Sequence, residues 1–149
     1  MSKPLKIAFC CVGNTCRSPM AEGVWNATRK ALPKAESFGL NARVGERTSD
    51  FALAVMKERG YEGVKRPVTP VKAVDLTAFT HIVCMEQGQK QALLPFVKEG
   101  TQVLSAKELI GQDILDVFGK ELADYQTALT QIERLVTQMQ ILLNKEILL

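Results

Sequence analysis

An α/β fold on a parallel sheet is predicted by three observations: short apolar runs of strand character recur along the chain, segments with helix start and stop signals separate them, and a long amphipathic stretch closes it. Strands alternating with helices put the helices on both faces of such a sheet. Leu5 to Cys10 (LKIAFC) reads as a first buried strand that ends at a glycine-containing turn. Ser18-Pro19 is a helix start, with a capping hydroxyl and a proline suited to the first position, so a helix is expected from Pro19 to Leu32, stopped by Pro33. Ala35 to Gly39 is a second short strand, followed by a polar stretch from Asn41 to Thr48. Ser49 or Asp50 opens a second helix, with Phe51, Leu53, Ala54, Val55 and Met56 apolar, that ends at Arg59-Gly60. Two prolines make Val64 to Pro70 a loop or an edge segment.

Asp75 to Phe79 reads as a helical turn, His81 to Met85 as a strand, Gln87 to Phe96 as a helix, and Gln102 to Leu104 as a last short strand. Ser105 to Gly119 is expected to be mostly loop. Beyond it Leu122, Tyr125, Leu129, Ile132, Val136, Met139 and Leu143 recur every three or four residues, the pattern of a long amphipathic helix. One domain over residues 1–149 accommodates all of this. A net charge of +3 is too small to argue for nucleic acid and suits an anionic substrate. The apolar run before Gly13 is too short for a signal-peptide core or a membrane span, so a cytoplasmic protein is expected, with Cys10, Cys11, Cys16 and Cys84 as reduced thiols.

The chemistry concentrates in Cys11-Val12-Gly13-Asn14-Thr15-Cys16-Arg17-Ser18. A cysteine and an arginine five residues apart, between a strand and a helix N-terminus, can wrap the intervening N–H groups around a tetrahedral oxyanion, which the helix dipole also attracts. Gly13 and Asn14 both tolerate positive φ and let the chain curl. Arg17 offers a fork of donors that can hold two phosphate oxygens. The same positive groups are expected to draw the Cys11 thiol down toward or below neutrality, with Ser18 donating to the sulfur. A thiolate in such a cradle accepts a phosphoryl group by in-line attack, giving a phosphocysteine that water then hydrolyses. The bland reading makes Cys11 an ordinary buried thiol, but the glycine, asparagine, Ser-Pro start and preceding strand together favour the cradle. The only histidine, His81, lies inside a predicted strand, so the acid for the leaving group must be a carboxyl. Asp113 and Asp116, in the loop before the last helix, are the candidates.

The stretch CVGNTCRSPMAE, with Ser37-Phe38-Gly39, Ile82-Val83-Cys84-Met85 and Asp116-Val117-Phe118-Gly119, resembles the low-molecular-weight protein tyrosine phosphatase family over essentially the whole chain. The resemblance implies a three-layer αβα architecture with a four-stranded parallel sheet. It also implies Cys11 as nucleophile, Arg17 as phosphate clamp, Asp116 as general acid and then base, and a network of Asn14, Ser18 and Ser37 holding the loop. The implied activity is a protein phosphatase of phosphotyrosine type. Substrate contacts would come from Val12, Gly13, Asn14, Thr15, Cys16, Ser18 and Phe118, the last as a wall for a substrate ring or simply as packing. The expected partner is a phosphorylated protein, with no cofactor, metal, nucleic acid or membrane, and the chain a monomer or weak homodimer.

Two departures from the family pattern stand out. Val117 replaces the usual proline after the acid, which frees that loop to move. Lysine stands at position 65, near where the family often has a histidine that supports the loop, so that support is absent or different. Thr15 bears on the substrate, because the bacterial protein arginine phosphatase branch resembles this chain in having threonine there. A hydroxyl can orient water or meet a guanidinium, or it merely fills space. Cys16 either traps an oxidised Cys11 as a disulfide, which the resemblance supports, or packs as a thiol. Cys10, Cys84 and Trp25 read as core. Arsenate reductase chemistry would need a further cysteine after Cys84, and a zinc module a second ligand pair. A non-catalytic phosphate-binding module stays open as the alternative from another class.

Overall fold

In the computed structural model, which describes residues 3–148, all five residues of β1 (Ile7–Cys11) are buried, as a central strand of a parallel sheet must be. β2 (Ala35–Gly39) and β3 (His81–Cys84) flank it, and β4 (Gln102–Ser105) lies outside β3, giving a four-stranded sheet in the order β2-β1-β3-β4 with every pair parallel. The expected architecture is therefore present. The register sets Cys11 opposite Gly39, and Cys10 opposite both Phe38 and Cys84, so β1, β2 and β3 end at one common edge.

Alternation along β1 decides which thiol faces which layer. Ile7, Phe9 and Cys11 join a core with Met20, Val24, Trp25, Leu129 and Ile132, whereas Ala8 and Cys10 join a second core with Phe38, Phe79, Ile82 and Cys84 on the opposite face. The first core lies beneath α1 (Arg17–Thr28), α2 (Asp50–Glu58) and α5 (Leu122–Leu148). Tyr125, Leu129, Ile132, Val136, Met139 and Leu143 of α5 are all buried, so the periodic stripe is indeed the seam of the closing helix. Trp25 is fully buried too, edge-on to Phe9, and its Nε1 donates to Pro33 O at 2.8 Å. Cys10 and Cys84 are core thiols in sulfur contact at 3.1 Å.

Several boundaries differ from expectation. α1 spans Arg17–Thr28 rather than 19–32. It starts earlier because the loop residue Cys16 is already its N-cap, and Ser18 caps nothing. It ends earlier because Lys30, just past the cap residue Arg29, turns left-handed (φ 53°) and closes the last turn before Pro33 is reached. The stretch from Ser105 to Gly119 is mostly loop, as expected, but a short helix that the expectation lacks, α4 (Ala106–Ile110), opens it. The Ser105 hydroxyl accepts from Glu108 N and the Glu108 carboxylate from Ser105 N, the reciprocal cap that a Ser-x-x-Glu sequence encodes. α3 (Gln87–Leu93) gives way to a 3-10 turn at Leu94–Phe96, where Pro95 enters. The two-proline segment runs as an edge, touching Arg47 through Pro67 and Gly39 through Pro70 in single bridges. Among the described residues, no helix is long and apolar enough to cross a membrane.

Candidate active site

The loop between β1 and α1 is anchored from below by the strand edge. Leu40 N donates to Cys11 O and Asn41 N to Val12 O, both at 2.9 Å, so the end of β2 carries the first half of the loop. A Cβ on Gly39 would lie 2.6 Å from Val12 O and 3.0 Å from Asn14 N, which explains why glycine ends β2. Curling falls to one residue of the expected pair. Asn14 has φ 58°, while Gly13 is not left-handed and a Cβ on it would meet only Thr15 Oγ1 at an ordinary 3.6 Å.

Asn14 can stay left-handed because its side chain is fully used. Thr69 N–H, which can only donate, meets Asn14 Oδ1 at 2.9 Å and so orients the amide. Its two Nδ2 hydrogens then go to Ser18 Oγ at 2.8 Å and Ser37 Oγ at 3.0 Å. Ser18 Oγ lies 2.9 Å from Cys11 Sγ, with its own hydrogen free to turn toward a thiolate there, and Asn14 N–H reaches the same sulfur at 3.3 Å. Ser37 donates to Glu22 Oε1 at 2.6 Å and accepts from Arg66 at 2.8 Å, and Arg66 pairs with Glu22. Lys65, at the position that prompted doubt about loop support, pairs with Asp50 instead. The support is present and comes from Arg66.

Cys11 is 3% exposed, and this bears on one expectation. Burial pushes its thiol up, although the Ser18 hydroxyl, the Arg17 guanidinium and the Asn14 amide all hold it down. In the free loop, burial thus works against the donors that the sequence shows, and the thiolate depends on them. Removing a donor should raise the thiol further. Ser18→Ala is expected to slow alkylation of Cys11 by iodoacetamide at neutral pH by about tenfold, the worth of one hydrogen bond to a charged group, and to move the alkaline rise of that rate to higher pH. An unchanged pH profile of alkylation would refute Ser18 as the sulfur's donor.

Arg17 is 4% exposed and held from three sides. Its Nη1 donates to Ile114 O at 3.0 Å, and its Nη2 lies 3.5 Å from Glu86 Oε2 and 3.8 Å from Asp116 Oδ1. Together with Cys11, Val12, Gly13, Thr15 and Cys16 it lines a pocket of about 250 Å³, whose mouth is completed by Asn41, Arg43, Glu46, Asp116 and Phe118. Asp113 is outside it, capping α3 by accepting from Gln87 N at 2.9 Å. Of the two candidate acids, only Asp116 reaches the pocket. Its side chain is 61% exposed, and Oδ1 accepts from Phe118 N at 3.2 Å. Val117 between them is fully buried, as is Ile114, so packing restrains this loop where proline's fixed φ does not.

Cys16 is also buried, its sulfur 3.2 Å from the Tyr125 hydroxyl, which Ser49 also meets at 3.2 Å. Burial and the Cys16 contact push Tyr125 up to about 12. Ser37, expected in the network, is there; His81 is not near, and instead pairs with Glu146 at 3.0 Å. Sequence reasoning missed Glu86, Arg66, Glu22, Thr69, Tyr125, Arg43 and Glu46. Glu86 alone carried a local signal, a charge directly after a buried strand that ends at the ligand edge. The arrangement can hold a tetrahedral oxyanion against a buried sulfur, with a carboxyl at the opening.

Comparisons with known proteins agree with that chemistry. The model of the family described as low molecular weight phosphotyrosine protein phosphatase matches residues 6–148. A protein-arginine-phosphatase of Geobacillus stearothermophilus is 32% identical over 91% of this chain and 94% of its own length. The low molecular weight protein-tyrosine-phosphatase PtpB of Staphylococcus epidermidis is 30% identical over 91% and 96%. Among solved structures, the YwlE arginine phosphatase from Geobacillus stearothermophilus superposes with a TM-score of 0.82 at 32% identity, covering 97% of this chain and 96% of that one.

Proposed function

The chain belongs to the low molecular weight phosphotyrosine protein phosphatase family, and from that premise we propose that it removes phosphate from phosphoarginine in proteins through a phosphocysteine on Cys11. The Cys11 sulfur attacks phosphorus as the thiolate while Arg17 and the loop N–H groups hold the phosphate oxygens. The bond from phosphorus to the leaving nitrogen breaks as Asp116 gives that nitrogen its proton. Water then attacks the phosphocysteine, the Asp116 carboxylate takes the water's proton, and the sulfur–phosphorus bond breaks to release inorganic phosphate and the thiolate. Ser18 O–H steadies the sulfur's charge in both steps.

The observation that carries the substrate choice is Thr15, 8% exposed in the pocket wall, four residues from Cys11 and touching Cys16 at 3.4 Å. Its hydroxyl offers a hydrogen-bonding group where an aliphatic side chain would offer only an apolar wall to an aromatic ring. The protein-arginine-phosphatase relatives support the same reading. Phosphotyrosine is the second reading, favoured by Phe118, whose ring is 72% exposed at the pocket mouth. The test compares wild type with Thr15→Ile on peptides carrying phosphoarginine or phosphotyrosine. The substitution is expected to lower the phosphoarginine-to-phosphotyrosine ratio of kcat/KM by about tenfold or more, because a site built to hydrogen-bond loses strongly when that partner goes. An unchanged ratio would sink the argument from Thr15.

A further inference from the structure

We propose that Glu46 determines specificity at this site by selecting a substrate whose leaving group is cationic; the inference rests on the phosphoarginine reading and deepens it. Glu46 lies in the polar segment between β2 and α2, 35 positions from Cys11 in sequence. It lines the mouth of the Cys11 pocket and also an adjoining hollow of about 250 Å³, which shares Thr15, Cys16 and Phe118 with that pocket and continues to Ser49 and Tyr125. Its backbone is fixed there: Glu46 N donates to Arg43 O at 3.1 Å across a turn in which Gly45 takes φ 101°, and Glu46 O accepts from Val68 N at 3.1 Å. The side chain is half-buried and has no hydrogen-bond or ion-pair partner among the described residues.

A carboxylate in this place is electrostatically out of keeping with a pocket meant for a phosphate dianion alone. The charged groups around the mouth are Arg17 and Arg43 against Asp116 and Glu46, with Arg47 on the side hollow. Arg17 serves the phosphate and also meets Ile114, Glu86 and Asp116, so its charge is shared before Glu46 is counted. Glu46 therefore repels a phosphorylated phenol, which brings only negative charge. A phosphorylated guanidinium brings a phosphate for the loop and, one bond beyond it, N–H donors and positive charge for the carboxylates at the mouth. Asp116 must give up its proton to the leaving nitrogen, so it cannot also serve as a permanent counter-charge. Glu46 can, and it lines both hollows together with Thr15.

The experiment measures kcat/KM for wild type, Glu46→Gln and Glu46→Asp on matched phosphoarginine and phosphotyrosine peptides. Glu46→Gln is nearly isosteric and removes only the charge. It is expected to lower phosphoarginine hydrolysis by about tenfold at low salt, with phosphotyrosine hydrolysis rising because a repulsion is removed. Glu46→Asp should restore part of the ratio, and raised ionic strength should narrow the difference between wild type and Glu46→Gln. If both substrates fall together, or the ratio is unchanged while the wild type hydrolyses phosphoarginine, the role of Glu46 is overturned and the substrate reading stands. If the wild type does not hydrolyse phosphoarginine at all, the substrate reading is overturned, and this inference with it.

Discussion

Cys11→Ser is expected to abolish hydrolysis of p-nitrophenyl phosphate, by at least about four powers of ten, because a serine hydroxyl has neither the acidity nor the nucleophilicity of the thiol it replaces. The fold should survive the exchange. Ser18 and Asn14 N–H, 2.9 Å and 3.3 Å from the sulfur, remain beside the new hydroxyl as hydrogen-bond partners. An unchanged thermal midpoint together with lost turnover would therefore locate the defect in the chemistry. Phosphate binding should persist, since Arg17 and the loop amides are untouched, and titration with inorganic phosphate checks it. Substantial turnover in the serine variant refutes the phosphocysteine route. A wild type that binds phosphate but releases none from substrate would return the chain to the class of non-catalytic phosphate-binding modules.

Asp116→Asn is expected to separate the two halves of the reaction. A positioned general acid contributes about 10²–10⁴-fold, so release of a basic guanidine or alkoxide should fall by that order. Release of p-nitrophenolate, which departs without a proton, should fall far less in the first step. The second step still needs a base for water, so the variant should give a burst of p-nitrophenolate stoichiometric with enzyme, followed by slow turnover. Rapid-mixing absorbance measures it. Equal losses on activated and unactivated leaving groups, with no burst, would remove Asp116 from the proton transfers. Asp113→Ala provides the contrast: the Asp113 side chain caps α3 through Gln87 N and lies outside the pocket, so its loss should cost helix stability rather than turnover.

Much of this was legible in the chain itself. The four strands, the helix opening at Ser49-Asp50 and the closing amphipathic helix follow from periodicity and from Gly and Pro punctuation. The differences are local. α4 is short enough to escape periodicity, although Ser105 and Glu108 spell its cap. Pro33 marks that α1 must stop but not where, because Lys30 already turns left-handed three residues before it. Gly13 and Asn14 both permit a left-handed turn, and only Asn14 makes it. The donors around Cys11 are visible in the sequence, whereas the burial that pushes its thiol up is not.

By itself the sequence determined the Cys11-to-Ser18 loop, its place between a strand and a helix, and the helix seam beneath it, because these depend on backbone preferences and side-chain spacing over a few residues. Tertiary structure alone decided which distant groups close the site. Glu86 reaches Arg17 across 69 positions and Tyr125 reaches Cys16 across 109. Arg66, and not Lys65, braces Ser37, and of two nearby aspartates only Asp116 lines the pocket. Glu46 came to the mouth the same way. Each outcome turns on which loop returns to the shared end of β1, β2 and β3, and that is set by the burial of whole helices and strands, which no local pattern records.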